Sequence, residues 1–399
     1  MRTATVAVAA LLGLLGCRRQ APPSPPPSPP VAAPTVSGDA ALPLPFRPSS
    51  WPRIDVHTHV SPDAVGRAVE LLGARGIVHF ANLSGGWPGR GLDEQIAAAR
   101  AFPGRVTLFC TPDFREVLRG PGYGKRMAEQ LAQAKARGAV GMKLSKGLGL
   151  GYEDASGKLL PVDDPGLDPL FAKAGELGMP VAIHTGDPMA FWQPPTPVNE
   201  RYDELVVHPG WSFYGATATD GSPVPSWEQL FAAFERRVAR HPKTTFIGVH
   251  FGNAPEDPDR VARLLDKYPN LVIDTAARVP EIGRRNPGHA VDKMKRFFER
   301  YQDRILFGTD AGIGPDPADL MLGSTGAEPP TAAEIERFWS ATWRYFETAD
   351  RDFVHPTPIQ GRWTIDGVAL PPAILEKVYY KNAMRLLGLK ELPAPPRMP

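Results

Sequence analysis

Four histidines and one aspartate are spaced along the sequence in a pattern that suits a metal site. His57 and His59 stand two residues apart, and His184, His250 and Asp310 follow singly, each at or just after the end of a short apolar run. Neutral imidazoles together with a carboxylate are typical ligands of Zn²⁺, and Mn²⁺ or Fe²⁺ also accept them. A divalent ion held in this way can lower the pKa of a bound water to about 7, which favours hydrolysis.

These residues need a scaffold that brings the ends of distant strands together. The body of the chain alternates β-branched apolar runs with helix-like stretches, and near-continuous apolar runs are typical of parallel strands buried on both faces. Eight such strands over about 260 residues predict an α/β protein with a (β/α)₈ TIM barrel, followed by a C-terminal helical extension. The runs lie at 53–60, 77–83, 105–111, 139–144, 180–184, 244–250, 271–275 and 305–309.

The barrel prediction places the five residues on one face. Residues two apart on a strand point to the same side, so His57 and His59 both face the barrel axis. His184, His250 and Asp310 reach the C-terminal face from the fifth, sixth and eighth strands. A single strand histidine is more often a packed core residue than a ligand, so the prediction depends on the joint pattern.

Three segments of the chain resemble a known enzyme family. Residues 54–59 are similar to the opening motif of the amidohydrolase superfamily, while 307–310 and 382–389 are similar to its amidohydrolase-2 (amidohydrolase-related) branch. The resemblance covers roughly residues 54–389. That branch contains metal-dependent hydrolases and also non-oxidative decarboxylases related to aminocarboxymuconate-semialdehyde decarboxylase.

The resemblance implies one divalent ion, most simply Zn²⁺, with a defined set of ligands. These are His57, His59, His184 and Asp310, and His250 lies just outside or at the edge of the set. Asp310 also takes a proton from the metal-activated water, and His250 polarises a substrate carbonyl or binds the developing oxyanion. We expect a metal-dependent hydrolase that cleaves a C–N or C–O bond of a small molecule. The alternatives are a carboxy-lyase of the same fold and a catalytically inactive binding lipoprotein.

Four further residues are candidates for binding the substrate. Lys143 ends the fourth strand, where it could bind substrate, form an ion pair, or bridge two metals as a carboxylated lysine does in some amidohydrolase branches. Arg278 follows the seventh strand, either to bind an anionic group through both nitrogens or to form a surface ion pair. His208 and Trp211 lie in the long connection from 185 to 243, which we interpret as a lid or pocket wall rather than an ordinary packed loop.

Two aspartates beside the candidate ligands are expected to be structural. Asp55 precedes the paired histidines and faces away from them, and Asp274 ends the seventh strand. We interpret Asp274 as a hydrogen-bond partner within the fold rather than as a residue that orients a metal-binding histidine.

The N-terminal residues indicate export and anchoring. Residues 1–16 have the length and apolarity of a signal peptide, and they end before Cys17 in a sequence that resembles a bacterial lipobox. Residues 17–50 contain the predicted lipidated Cys17 and a tether in which 11 of the 30 residues at 21–50 are proline. The barrel domain is expected at 51–390 and a tail at 391–399. Arg18 after the cysteine favours the outer membrane, facing the periplasm.

Composition narrows the range of partners. The formal net charge is only +2 and no basic stripe is visible, which argues against a nucleic-acid partner. Two cysteines are too few for a disulfide scaffold. We therefore expect a small-molecule substrate, contact with the membrane only through the lipid anchor, and a homodimer as the default assembly.

Overall fold

The structure is a computed structural model that describes residues 48–186, 188–324, 326 and 328–393. The predicted signal peptide, Cys17 and most of the Pro-rich tether lie outside the described residues, so export and lipidation stay predictions. Within the described part of the chain, no helix combines the length and the apolarity needed to cross a membrane.

Short parallel strands form the centre of the fold. Each predicted apolar run contains a strand, and the strands pair in chain order from the first to the eighth. The prediction of an α/β barrel is confirmed. The strands are β1 (Arg53–Val60), β2 (Ile77–Asn82), β3 (Val106–Cys110), β4 (Gly141–Leu144), β5 (Val181–Ile183), β6 (Phe246–Gly248), β7 (Leu271–Asp274), β8 (Ile305–Leu306), β9 (Ala311–Ile313), β10 (Leu320–Leu322), β11 (Phe353–Val354) and β12 (Thr364–Ile365).

The eighth strand of the barrel is interrupted, and the interruption closes the sheet. β8 pairs with β7, whereas β9 pairs in parallel with β1. Between them, the Val56 N–H donates to the Phe307 carbonyl at 3.0 Å, and the Asp310 N–H donates to the His57 carbonyl at 2.8 Å. Asp310 has a φ of 64°, which residues with a side chain seldom adopt. The predicted metal-binding aspartate therefore stands where this segment changes its strand partner.

Helices cover the outside of the barrel, and short helical turns extend several strand ends. They are α1 (Val65–Gly73), α2 (Leu92–Arg100), α3 (Tyr123–Arg137), α4 (Gly147–Leu150), α5 (Asp168–Glu176), α6 (Tyr202–Val207), α7 (Trp227–Arg240), α8 (Val249–Gly252), α9 (Pro258–Lys267), α10 (Val279–Ile282), α11 (Val291–Tyr301), α12 (Ala332–Glu347), α13 (Pro372–Glu376) and α14 (Asn382–Leu387). A π-helical turn at Lys377–Lys381 joins α13 to α14, so the end of the predicted C-terminal helical extension consists of three consecutive parts.

The local sequence explains where two of the longer helices begin. The Ser226 side chain accepts a hydrogen bond from the Gln229 N–H, and the Gln229 side chain accepts one from the Ser226 N–H, which caps α7. Thr331 and Glu334 cap α12 in the same way. Such reciprocal caps satisfy backbone donors that otherwise lack a partner at the first turn of a helix.

Two apolar layers separate the inside of the barrel from its outside. The outer layer lies between the strands and the covering helices. The inner layer lies inside the barrel and is completed by two side chains of α14, which belongs to the predicted C-terminal extension. The buried side chains of the inner layer are Ile54, Val56, Ala81, Leu83, Phe109, Ala182, Ile247, Val249, Leu306, Ala383 and Leu387.

A buried arginine links the C-terminal extension to the start of β1. The Arg53 guanidinium lies 4.1 Å from the ring centre of Trp343 and 4.7 Å from that of Tyr379. It also forms an ion pair with Glu347 at 2.8 Å. Because a buried charge must be paired, these contacts hold α12 and the π-helical turn against the barrel.

The inner layer leaves no room beside Gly141. A Cβ at this position would lie 2.3 Å from the Phe109 ring. We expect Gly141→Ala to lower the free energy of unfolding by about 1–3 kcal/mol, the range for overpacked cores. Urea unfolding followed by tryptophan fluorescence measures this loss. Gly210→Ala, where a Cβ would meet no atom within 4 Å, is the control, and an equal effect of both changes would contradict the packing described.

Candidate metal centre

The histidine pair of β1 and the aspartate of the interrupted strand meet at one point. The Nε2 atom of His57 lies 3.2 Å from Oδ1 of Asp310, and Nε2 of His59 lies 3.3 Å from the same oxygen. All three residues are shielded from solvent, although the Asp310 side chain keeps 18% exposure. The two imidazoles predicted from the spacing therefore point to the same side of the strand.

The other ring nitrogen of each β1 histidine is held by a polar side chain. Nδ1 of His57 lies 2.9 Å from Oδ2 of Asp274, and Nδ1 of His59 lies 2.8 Å from Oγ of Ser84. A carboxylate only accepts hydrogen bonds, so the proton of neutral His57 is assigned to Nδ1. The lone pair on Nε2 is then directed towards Asp310.

The remaining two histidines complete a continuous cluster of rings. The ring centre of His250 lies 4.9 Å from that of His57 and 4.3 Å from that of His184. His250 has a φ of 53° in the turn α8, and its Nδ1 lies 2.9 Å from the Ala276 carbonyl. The structure thus brings all four histidines of the prediction to the C-terminal face, with Asp310 beside them.

Asn253, directly after the turn α8, links the segment that follows β6 to the end of β5 by hydrogen bonds. The Asn253 side chain accepts a hydrogen bond from the Thr185 N–H at 2.9 Å and donates one to the Ile183 carbonyl at 3.1 Å. Asn253 has a φ of 61°, which asparagine adopts more readily than most residues. It therefore fixes the chain on both sides of His184.

The protonation of the cluster suits cation binding. Burial and the nearby Lys143 ammonium hold the pKa of His57 well below its usual range, and burial also lowers the pKa of His59. Burial alone would raise the pKa of Asp310, but the facing imidazoles of His57, His59 and His250 outweigh it and hold that pKa well below its usual range. Neutral imidazoles and an ionised carboxylate are the forms that bind metals.

The distances between the donor atoms suit an ion with tetrahedral coordination. Ligands about 2.1 Å from a zinc ion lie about 3.4 Å from one another, which is close to the 3.2 and 3.3 Å between Asp310 and the β1 histidines. A second group with metal-like spacing contains His57, His250 and Asp274. In that group, Asp274 is already bound to Nδ1 of His57. The first group is therefore the better candidate, and the His184 ring reaches the cluster through its contact with the His250 ring.

Lys143 lies inside the candidate centre. Its Nζ atom is 3.1 Å from Nε2 of His57, and the residue is buried at the end of β4. This position excludes none of the three roles considered for Lys143, and the ammonium is also close enough to the buried Asp274 to counteract the rise in pKa that burial causes in that carboxyl, so the roles stay predictions.

Arg278 is buried, whereas one of the two roles predicted for it, a surface ion pair, requires an exposed side chain. It is 95% buried beside Arg201 and Glu281, and its Nη1 donates to the Ala277 carbonyl at 2.8 Å. The expected surface location is therefore wrong, although Glu281 lies within electrostatic reach of the Arg278 guanidinium. The substrate-binding interpretation stays a prediction.

A buried ion-pair network fastens this long connection to the barrel. Arg201, just before α6, binds Glu204 at 2.7 Å and also forms an ion pair with Glu281 of α10. Glu204 in turn accepts a hydrogen bond from Ser324 at 2.6 Å. Because all these groups are buried, the contacts favour a fixed pocket wall over a mobile lid.

His208 and Trp211 form part of this wall. Their rings are stacked, with centres 3.9 Å apart. The Lys146 ammonium lies 5.5 Å from the Trp211 ring centre and 5.3 Å from that of Phe191, so the wall contacts the loop after β4. The structure thus places the two residues near the strand that carries Lys143, and their contact with substrate stays a prediction.

Two residues that hold the histidines of β1 were not recognised as such from the sequence. Asp274 binds the His57 ring in addition to backbone groups, and Ser84 binds the ring of His59. The position of Asp274 at the end of a buried strand, level with the histidines, was the available signal.

Asp55 has the structural role expected of it, because it accepts hydrogen bonds from the N–H groups of His57 and Thr309. Burial raises the pKa of Asp55 to about 7.

The ion-pair network gives a stability prediction. Replacing Arg201 with methionine leaves two buried carboxylates without their cation, and we expect a loss of about 3–5 kcal/mol in the free energy of unfolding. Denaturant unfolding measures the loss, and hydrogen exchange shows whether it is concentrated in residues 189–225. Arg362→Met is the matched control, because its ion pair with Asp203 on the same connection is exposed and worth at most about 1 kcal/mol. Equal losses would show that the network does not hold the wall.

Several solved structures resemble this fold at low identity. A 2,6-dihydroxybenzoate decarboxylase from Rhizobium is 15% identical, with a TM-score of 0.44 over 86% of this chain and 100% of that one. A dihydroorotase from Campylobacter jejuni is 13% identical, with a TM-score of 0.44 over 87% of each chain. A 5-carboxyvanillate decarboxylase from Sphingomonas paucimobilis is 12% identical, with a TM-score of 0.41 over 85% of this chain and 99% of that one. These likenesses are too distant to carry a reaction over to this chain.

The family assignment depends on a sequence model rather than on these structures. No curated protein matches the chain. The amidohydrolase family model, Amidohydro_2, matches residues 54–389, which include every candidate ligand and, apart from the first residue of β1, all the strands described above. The chain therefore belongs to the amidohydrolase family.

Proposed function

We propose that this protein is a metal-dependent hydrolase that cleaves a C–N or C–O bond of a small molecule with water. The observation that carries the proposal is the convergence of two imidazole Nε2 atoms on one Asp310 oxygen, at the catalytic face of a barrel whose family is metal-dependent. A divalent ion bound there would supply Lewis acidity and lower the pKa of a water molecule. His57, His59, His184 and Asp310 are the residues that would hold it.

Asp310 is suited to orient the attacking water. Its carboxylate is ionised, because the facing imidazoles hold its pKa well below the usual range despite burial. An ionised carboxylate accepts a hydrogen bond from water and fixes the direction of its lone pair. The partial exposure of Asp310 leaves it accessible from the mouth of the barrel.

The role of His250 depends on which ring nitrogen carries the proton. The Ala276 carbonyl only accepts hydrogen bonds, so Nδ1 of His250 is the protonated nitrogen. Nε2 of the neutral ring is then an acceptor, which suits a base or a ligand. Polarising a carbonyl, the role expected from the sequence, requires the imidazolium form.

A carboxy-lyase reaction is the second candidate, and one observation favours it. The Lys143 ammonium lies against the His57 ring. A cation at the centre suits a substrate that carries a carboxylate, and Arg278, buried after β7, is the second cation predicted to bind one. An inactive binding protein is the third candidate, although the ligand positions are all filled.

The reaction is tested by following oxygen from labelled water. Esters, lactones, amides and aromatic acids are incubated with the protein in H₂¹⁸O, and products are identified by mass spectrometry. We expect ¹⁸O in a product carboxylate or hydroxyl and no loss of CO₂. The variants His57→Ala and Asp310→Ala should lower kcat/KM by ~10²-fold or more, as removal of a group that moves or orients protons does.

Asp63→Asn is the control for these variants, since Asp63 is exposed just after β1. Loss of CO₂ without uptake of water would replace hydrolysis by the carboxy-lyase reaction. Full activity of the His57 and Asp310 variants would overturn the site itself.

A further inference from the structure

We infer that Asp274 is a positioning residue that sets the tautomer of His57 and the backbone conformation of His250. β7 supplies none of the predicted ligands, yet its last residue lies between the two histidines. The inference rests on the proposed metal-dependent function, since it assigns Asp274 the task of presenting ligand atoms.

Both carboxylate oxygens of Asp274 are already engaged. Oδ2 lies 2.9 Å from Nδ1 of His57. Oδ1 accepts the backbone N–H of His250 at 2.8 Å and that of Ala276 at 3.1 Å. The residue is 99% buried, so water does not compete for these contacts. Asp274 therefore acts through its neighbours and is not itself free to bind an ion.

The contact with His57 decides which nitrogen of the ring faces the centre. Because Oδ2 only accepts, it keeps the proton on Nδ1 and leaves the lone pair on Nε2. Nε2 is the atom 3.2 Å from Asp310. A histidine ligand whose second nitrogen donates to a carboxylate is held in one orientation and becomes a stronger ligand.

The contact with His250 holds an unusual backbone conformation. The φ of 53° at His250 is a strained conformation for a residue with a side chain, and it persists only where the surroundings support it. Asp274 binds the N–H of this residue, and the Ala276 carbonyl binds Nδ1 of its ring. The Ala276 N–H returns to the same carboxylate. Residues 274–276 thus fix both the main chain and the ring of His250.

Asp55 is a natural comparison for Asp274. It is equally buried, and it also accepts two backbone N–H groups, from His57 and Thr309. Its further contact is with the Thr309 hydroxyl and not with an imidazole. Changing either aspartate to asparagine removes one buried carboxylate, but only the change at Asp274 alters the partner of a histidine ring.

The Asp274→Asn substitution makes a specific prediction about His57. The single amide oxygen is needed by the N–H groups of His250 and Ala276, so the amide NH₂ replaces Oδ2. This group donates to Nδ1 of His57 and forces the ring proton onto Nε2. We expect zinc affinity, measured by competition with a chromophoric chelator, to fall by about 10–100-fold. Asp55→Asn should keep the wild-type affinity within about threefold, because the His57 ring retains its carboxylate.

Nitrogen NMR of the histidine side chains in the metal-free protein gives a readout that is independent of activity. We expect the Nδ1–H form of His57 in the wild type and in Asp55→Asn, and the Nε2–H form in Asp274→Asn, with the signal assigned from the His57→Gln spectrum. The wild-type spectrum alone tests the inference if the variant does not fold, since an Nε2–H form there would overturn it.

The two proposals fail in different ways. If the wild type binds zinc and Asp274→Asn binds it equally well with an unchanged tautomer, the positioning role is wrong and the metal-dependent function stands. If the wild type binds no metal but the tautomer changes as expected, the positioning of His57 is supported and the proposed function fails.

Discussion

The carboxylate of Asp310 has to be buried between two imidazole rings, and the fold is arranged around this requirement. A buried carboxylate is costly unless charged or polar groups compensate for it. The Nε2 atoms of His57 and His59 lie 3.2 and 3.3 Å from the same Asp310 oxygen, and because the lone pair of the His57 Nε2 faces that oxygen, a cation held between these atoms would supply the compensation. The Asp310 N–H binds the His57 carbonyl, so the main chain and the side chain of Asp310 both depend on β1. The same segment consequently closes the barrel and places Asp310 in the candidate site.

Positive φ values mark the loops that carry the site. His250, Ala277 and Asp310 follow β6, β7 and β8, and all three adopt the left-handed conformation. Each such residue costs of the order of 1–3 kcal/mol and persists only where its surroundings determine it. At His250 and Asp310 the support is a backbone N–H bound to Asp274 or to His57. The free energy that the barrel gains by burying its two apolar layers offsets this local strain.

The sequence was sufficient for the barrel because the apolar runs have lengths and spacing typical of buried parallel strands. It was also sufficient to place His57 and His59 together, since their spacing on a strand requires it. It did not reveal that the eighth strand breaks after Leu306, because pairing with β1 instead of β7 is a property of the closed sheet. It also predicted a surface position as one of two settings for Arg278, whereas the residue is buried within electrostatic reach of Arg201, which is distant in sequence.

Metal content per chain, measured by plasma mass spectrometry on protein purified without chelators, is the most direct test of the site. We predict about one divalent ion per chain, retained through gel filtration, because the described donor atoms surround a single position. About two ions would contradict a single-metal centre and assign Lys143 a bridging role. No ion, even after reconstitution with zinc or manganese, would contradict the metal-dependent function and leave a binding protein built on the amidohydrolase barrel.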